Sequence, residues 1–142
     1  MSGRDEDWAE QRKRAIAVHS AELARKEAAE AAQASQLLVE FVAAARGQGI
    51  EPVTLAARSY DGKHRYRTKL RGWYLSGDER FAVDEDGRFY ILTVPGSFMG
   101  SLRSLIAGAQ VEPARPRLVI GEGGRDGERI PLRALLDRAL RR

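Results

Sequence analysis

Residues 53–73 read VTLAARSYDGKHRYRTKLRGW, and the reading of this stretch decides the fold. Side chains alternate in character on both sides of Asp61-Gly62, with the period of two that belongs to a β-strand. Asp-Gly between two such runs is a strong hairpin signal, because a type I′ turn needs positive φ at both central residues. A two-residue turn there sets the register: Tyr60 faces Lys63, Arg58 faces Arg65, Ala57 faces Tyr66, Leu55 faces Thr68 and Val53 faces Leu70. Alternation then gathers Val53, Leu55, Ala57, Tyr66, Thr68 and Leu70 on one side as a core face. The other side collects Arg58, Arg65, Arg67, Lys69 and Arg71. Like charges directly opposite each other, as in Arg58 and Arg65, are mildly destabilising, which points to an acidic partner.

Downstream the period of two continues. Arg80 to Asp84 and Arg88 to Val94 are predicted strands, with turns at Gly77-Asp78 and Asp86-Gly87. Loops of two or four residues keep the parity, placing Tyr74, Phe81, Val83, Tyr90, Leu92 and Val94 with the core face. The opposite face then runs from the arginines into Trp73, Ala82, Phe89 and Ile91. Residues 98–107 (FMGSLRSLIA) are predicted as a short helix, and Arg117 to Ile120 as a last strand. A C-terminal helix starts at about Leu132, where Leu132, Leu135, Leu136, Ala139 and Leu140 make one apolar stripe.

Upstream, residues 5–46 contain neither Gly nor Pro and are rich in Ala, Glu and Arg, the composition of a long helix. Ala34, Leu37, Leu38, Phe41, Val42 and Ala45 have helical spacing and should dock on the core. Residues 24–36 (ARKEAAEAAQASQ) carry no large apolar side chain, and Trp8, Ile16, His19 and Leu23 make only a thin stripe before them. The expected organisation is a projecting or weakly packed helical extension over residues 1–33 and one domain over residues 34–142. The expected class is α+β: an antiparallel meander of four to five strands packed by a long N-terminal helix and a C-terminal helix.

Composition narrows the function. The 142 residues contain no cysteine, which excludes disulfides and thiolate metal sites. No apolar run can cross a bilayer, and the N-terminus (MSGRDEDWAEQRKR) lacks the apolar stretch of a secretory signal, so a cytoplasmic location is expected. The net charge of +4 is unevenly spread: residues 58–73 carry six basic side chains and one acid, and residues 115–142 eight arginines and four acids. Such clustering is an argument about partners. Arginines neutralise phosphates while aromatic faces on a sheet stack unpaired bases. The candidate nucleic-acid-binding set is therefore Arg58, Arg65, Arg67, Lys69, Arg71 and Trp73, with Tyr60 and Phe89 as further aromatics. RNA is expected rather than a specific DNA site, although no helix-turn-helix, zinc-finger or RNP1-type motif supports nucleic-acid binding. Arginine outnumbers lysine 20 to 4, which a GC-rich genome produces as readily as function does.

Other motifs carry less. GEGGRDGE, residues 121–128, follows a strand and precedes a helix, but Asp126 stands where a dinucleotide fingerprint has its last glycine, and Arg125-Asp126-Gly127 reads as a hairpin turn. Asp84-Glu85-Asp86-Gly87 lacks the ligand spacing of an EF-hand loop. His19 and His64 have no spaced partner for a metal or for nucleophilic catalysis, and Ser97 and Ser101 suit a helix start. Neither an enzyme nor a cofactor or metal is expected. The alternative function is that of an adaptor or self-associating protein, meeting a protein partner or a second copy through residues 5–46.

The runs RGWYLSGDERFAVDEDGRFYILTVP and RLVIGEGGRDGERIPLRALLDRAL resemble, in their spacing, a group of small uncharacterised actinobacterial proteins, over about residues 37–142. The resemblance implies a bacterial cytosolic protein and nothing catalytic.

Overall fold

The computed structural model describes residues 2–94, 111–121 and 129–142. The predicted helix at 98–107, with Ser97 and Ser101, and the turn at 125–127 lie outside them. The protein is α+β. Helix α1 (Ser2–Gly47) leads into strands β1 (Val53–Ser59), β2 (Arg65–Tyr74), β3 (Phe81–Asp84), β4 (Phe89–Ile91) and β5 (Thr93–Val94). A short pair, β6 (Val119–Ile120) and β7 (Ile130–Pro131), precedes helix α2 (Leu132–Arg141).

The sheet order is β4-β3-β2-β1-β5. The meander is antiparallel as predicted, but β1 and β5 run parallel, so the sheet is mixed. The cause is closure. One run of chain, residues 89–94, pairs with β3 at its start and with β1 at its end. Leu92 joins the two: its N–H donates to the Arg80 carbonyl (2.7 Å) and its carbonyl accepts from the Arg58 N–H (2.8 Å). Both edges of the sheet thus end on the same segment, and the sheet wraps round a small interior. The intervening meander serves as the long connection that a parallel pair requires.

Closure gives the protein two cores where alternation predicted one. Inside the wrap, Leu55, Ala82, Tyr90 and Leu92 form one buried cluster and Ala57, Tyr66 and Val94 another, with Val111 touching both. Outside it, α1 and α2 cover Trp73, Val83 and Phe89 with Ala34, Leu38, Phe41, Val42, Ala45, Leu132, Leu135 and Leu136. The docked stripe of α1 and the apolar stripe of α2 are those the sequence predicts.

Parity explains which residues changed sides. Both later hairpins have odd loops. Leu75 N–H donates to the Phe81 carbonyl (2.8 Å) around Ser76–Arg80, with Glu79 left-handed at φ 61°. Asp84 N–H donates to the Arg88 carbonyl (3.0 Å), with Gly87 at φ 86°. The first loop turns Phe81 and Val83 to the helix side and Ala82 inward, against expectation. The second reverses the flip, so Tyr90, Leu92 and Val94 face the interior as predicted. Asp84, itself buried, pins its turn: its carboxylate accepts from the N–H groups of Asp86 and Arg88 (both 2.9 Å) and from the Tyr90 hydroxyl (2.8 Å). Burial and this bond to Asp84 push the Tyr90 hydroxyl up to about 12.

The first hairpin keeps its predicted register near the turn, Arg58↔Arg65 and Ala57↔Tyr66, but its turn is not type I′. Only Gly62 has positive φ; the Asp61 carboxylate holds the loop by accepting from the Ser59 hydroxyl and the Lys63 N–H. Further along, the ladder slips, so Val53 faces Gly72 rather than Leu70. Thr68 occupies the slip. Its buried hydroxyl donates to the Leu55 carbonyl (2.7 Å) and accepts from the Leu70 N–H (3.1 Å), replacing ladder bonds the bulge removes.

Candidate nucleic-acid interface

Strand β2 presents Arg65, Arg67, Lys69 and Arg71 to solvent, alternating with Tyr66 and Thr68 in the interior. Alternate residues of a strand lie about 7 Å apart, so the four cations form a row some 20 Å long. Arg58 is half-buried beside Arg65 on the neighbouring strand. Five of the six candidate residues are therefore on one surface.

The row has an internal counter-ion that the sequence did not reveal. Glu79 Oε2 lies 3.2 Å from Arg58 Nη2 and 3.6 Å from Arg65 Nη2, bridging the two opposed arginines. Glutamate is not a usual occupant of the left-handed position, so SGDER gives little warning of this placement. The Arg58–Arg65 opposition is thereby partly relieved without a partner. Arg71 donates from Nη2 to the Pro52 carbonyl (3.3 Å). Among the described residues no carboxylate pairs with Arg67, Lys69 or Arg71. At the turn end, Asp61 carries a lowered pKa, caused first by the Ser59 hydroxyl and then by the Lys63 N–H, so it stays anionic beside Lys63.

Trp73 does not belong to this surface. It is 5% exposed, its indole N–H donates to the Ile50 carbonyl (2.9 Å), and Phe41 of α1 meets its ring edge-on at 6.3 Å. The Arg46 guanidinium lies 5.4 Å from the same ring. The predicted stacking platform is thus a core residue, because α1 lies across the far end of β2. Phe89 is covered in the same way, whereas Ile91 stays 44% exposed. Tyr60, 71% exposed at the hairpin tip, is the accessible aromatic at this end of the strand.

Among the described residues no group of carboxylates and histidines is arranged to hold a metal, and no helix is long and apolar enough to cross a membrane. The acidic turn at Asp84 is closed on itself, as its hydrogen bonds require. No protein-family model matches the chain, and neither a curated protein nor a solved structure is similar to it.

Proposed function

We propose that this is a non-enzymatic binding protein that holds the phosphate backbone of nucleic acid on the exposed face of β2, RNA rather than a specific DNA site. One observation carries the reading: Arg65, Arg67, Lys69 and Arg71 stand exposed along one strand face beside Arg58, and among the described residues the carboxylate that pairs with any of the five is Glu79, which reaches Arg58 and Arg65 alone. A row of cations releases counterions from a polyanion and binds it without regard to sequence. With Trp73 buried, the contact is to the backbone, and Tyr60 at the tip is an aromatic exposed for base stacking. A strand surface of this kind suits an extended single strand better than a duplex groove that takes a recognition helix.

The test is the salt dependence of binding to single-stranded RNA. Replacing Arg65 and Arg67 with Gln should weaken binding at low salt and reduce the slope of log affinity against log salt by about 0.7 per lost contact. Absence of binding by the native chain, or binding indifferent to salt, would overturn the proposal.

A second reading is favoured by α1. Every residue from Gly3 to Ala29 is exposed, including Trp8 (71%), Ile16 (62%), Val18 (58%) and Leu23 (50%). Large apolar side chains left in water along one helical arm are what a protein partner or a second copy would cover.

A further inference from the structure

A second basic surface lies away from the β2 row, between the β3–β4 hairpin and the segment 111–121. The Ala114 N–H donates to the Phe89 carbonyl (2.8 Å), an isolated antiparallel bridge that holds this segment alongside β4. Between them is a cleft of about 210 Å³. Its apolar wall is the stacked pair Phe81 and Phe89, with centroids 5.9 Å apart and planes at 13°, flanked by Ile91 and Val119. Arg80, Arg115 and Arg117 also line it, and among the described residues no carboxylate does.

Two features set this cleft apart from ordinary surface. First, among the described residues outside α1 the exposed large apolar side chains are Val53, Tyr60, Ile91 and Val119, and two of the four line this one site. Second, three arginines, Arg80, Arg115 and Arg117, line it. Arg80 sits 5.3 Å from the Phe81 ring centroid. Arg115 reaches Glu27 of α1 at 3.5 Å through side chains that are both more than half exposed, a pairing worth little and easily exchanged for a better anion. Apolar walls with cations at the rim match a ligand that has a flat apolar body and an anionic head. The volume is below the roughly 300–1,000 Å³ of sites for drug-sized ligands, which limits the body to one or two rings or a short chain.

We propose that this cleft binds a small organic anion, a carboxylate or phosphate carried on an aromatic or short aliphatic body. Phe81, Ile91 and Val119 hold the body, with the buried Phe89 stacked behind Phe81, and Arg80 and Arg115 hold the head. The cleft shares no lining residue with the β2 row, and the two proposals stand or fall separately.

The experiment titrates the full chain with 2-naphthoate, 2-naphthyl phosphate and neutral 2-naphthol, followed by calorimetry and by ligand fluorescence. At least one of the anions should bind about tenfold more tightly than 2-naphthol, and the tighter of the two identifies the preferred head. The double change Arg80→Gln/Arg115→Gln should weaken that anion about tenfold or more, the loss of about one charge-assisted hydrogen bond. Ile91→Trp, at a half-exposed position, fills the cleft without removing charge and should abolish binding even if the arginine variant folds poorly. Arg65→Gln/Arg67→Gln should leave these affinities unchanged while altering the response to RNA. Equal affinity for 2-naphthol, no binding of either anion, or full affinity in the Ile91→Trp protein would overturn the proposal.

Discussion

The two ends of β2 obey different rules. From Arg65 to Arg71 one side of the strand is wet and the other dry, and the alternation of charged with apolar residues records this directly. From Gly72 to Tyr74 both sides are covered: Tyr74 faces the interior of the wrapped sheet, and Trp73 lies under Phe41 and beside Arg46. The strand is continuous, and only its neighbours change. An alternating pattern shows that two faces differ, but the second face is solvent only where no other element crosses it.

The largest expected effect tests the covered end. Trp73→Ala should cost about 3–5 kcal/mol, since it opens a cavity beneath α1 and leaves the Ile50 carbonyl without its donor. That is a large part of the stability of a domain of ordinary size, and chemical denaturation measures it. A cost below about 1 kcal/mol would place the indole in solvent and erase the difference between the two ends.

Gly72→Ala probes the boundary itself. A Cβ at Gly72 would run into the Val83 carbonyl oxygen and the Asp84 Cα, where β2 pairs with β3. The expected loss is about 1–3 kcal/mol from overpacking, read by the same denaturation series. An alanine tolerated without loss would mean that the strands are not so close.

The smallest effect belongs to a region resembling the wet end, the exposed half of α1. Removing residues 2–26 leaves Glu27 and Glu30, which pair with Arg115 and the Leu118 N–H, in place. The thermal midpoint should move by no more than about 4 °C, the shift that 1 kcal/mol produces in a chain of this size. Light scattering on the same pair of proteins reports whether the arm associates. A drop in mass to the monomer on truncation supports a second copy as its partner, and an unchanged monomer removes that reading. Loss of the cooperative transition would show that the arm packs on the core.

Much of the architecture was legible in the sequence because it rests on local chemistry. Helical composition without Gly or Pro gave α1, and Gly47 together with Gly49 (φ 75°) marked its end. Period-two runs gave β1 to β4, and the leucine stripe gave α2. The row Arg65, Arg67, Lys69 and Arg71 was legible for the same reason, since successive residues of a strand must point to opposite sides.

What the sequence could not determine depended on loop parity and on distant chain. A single extra residue in SGDER exchanged the faces of Val83 and Ala82 and put Glu79 between two arginines, and no local rule distinguishes that loop from an even one. Closure of the sheet required residues 89–94 to reach β1, some thirty positions earlier, which only the assembled twist of the strands brings about. The fate of Trp73 was settled by Phe41, more than thirty residues before it in the chain. By itself, then, the sequence determined which residues are cationic and which way each strand alternates. Tertiary packing alone decided which alternate face stays in water, because burial depends on which element arrives to cover it.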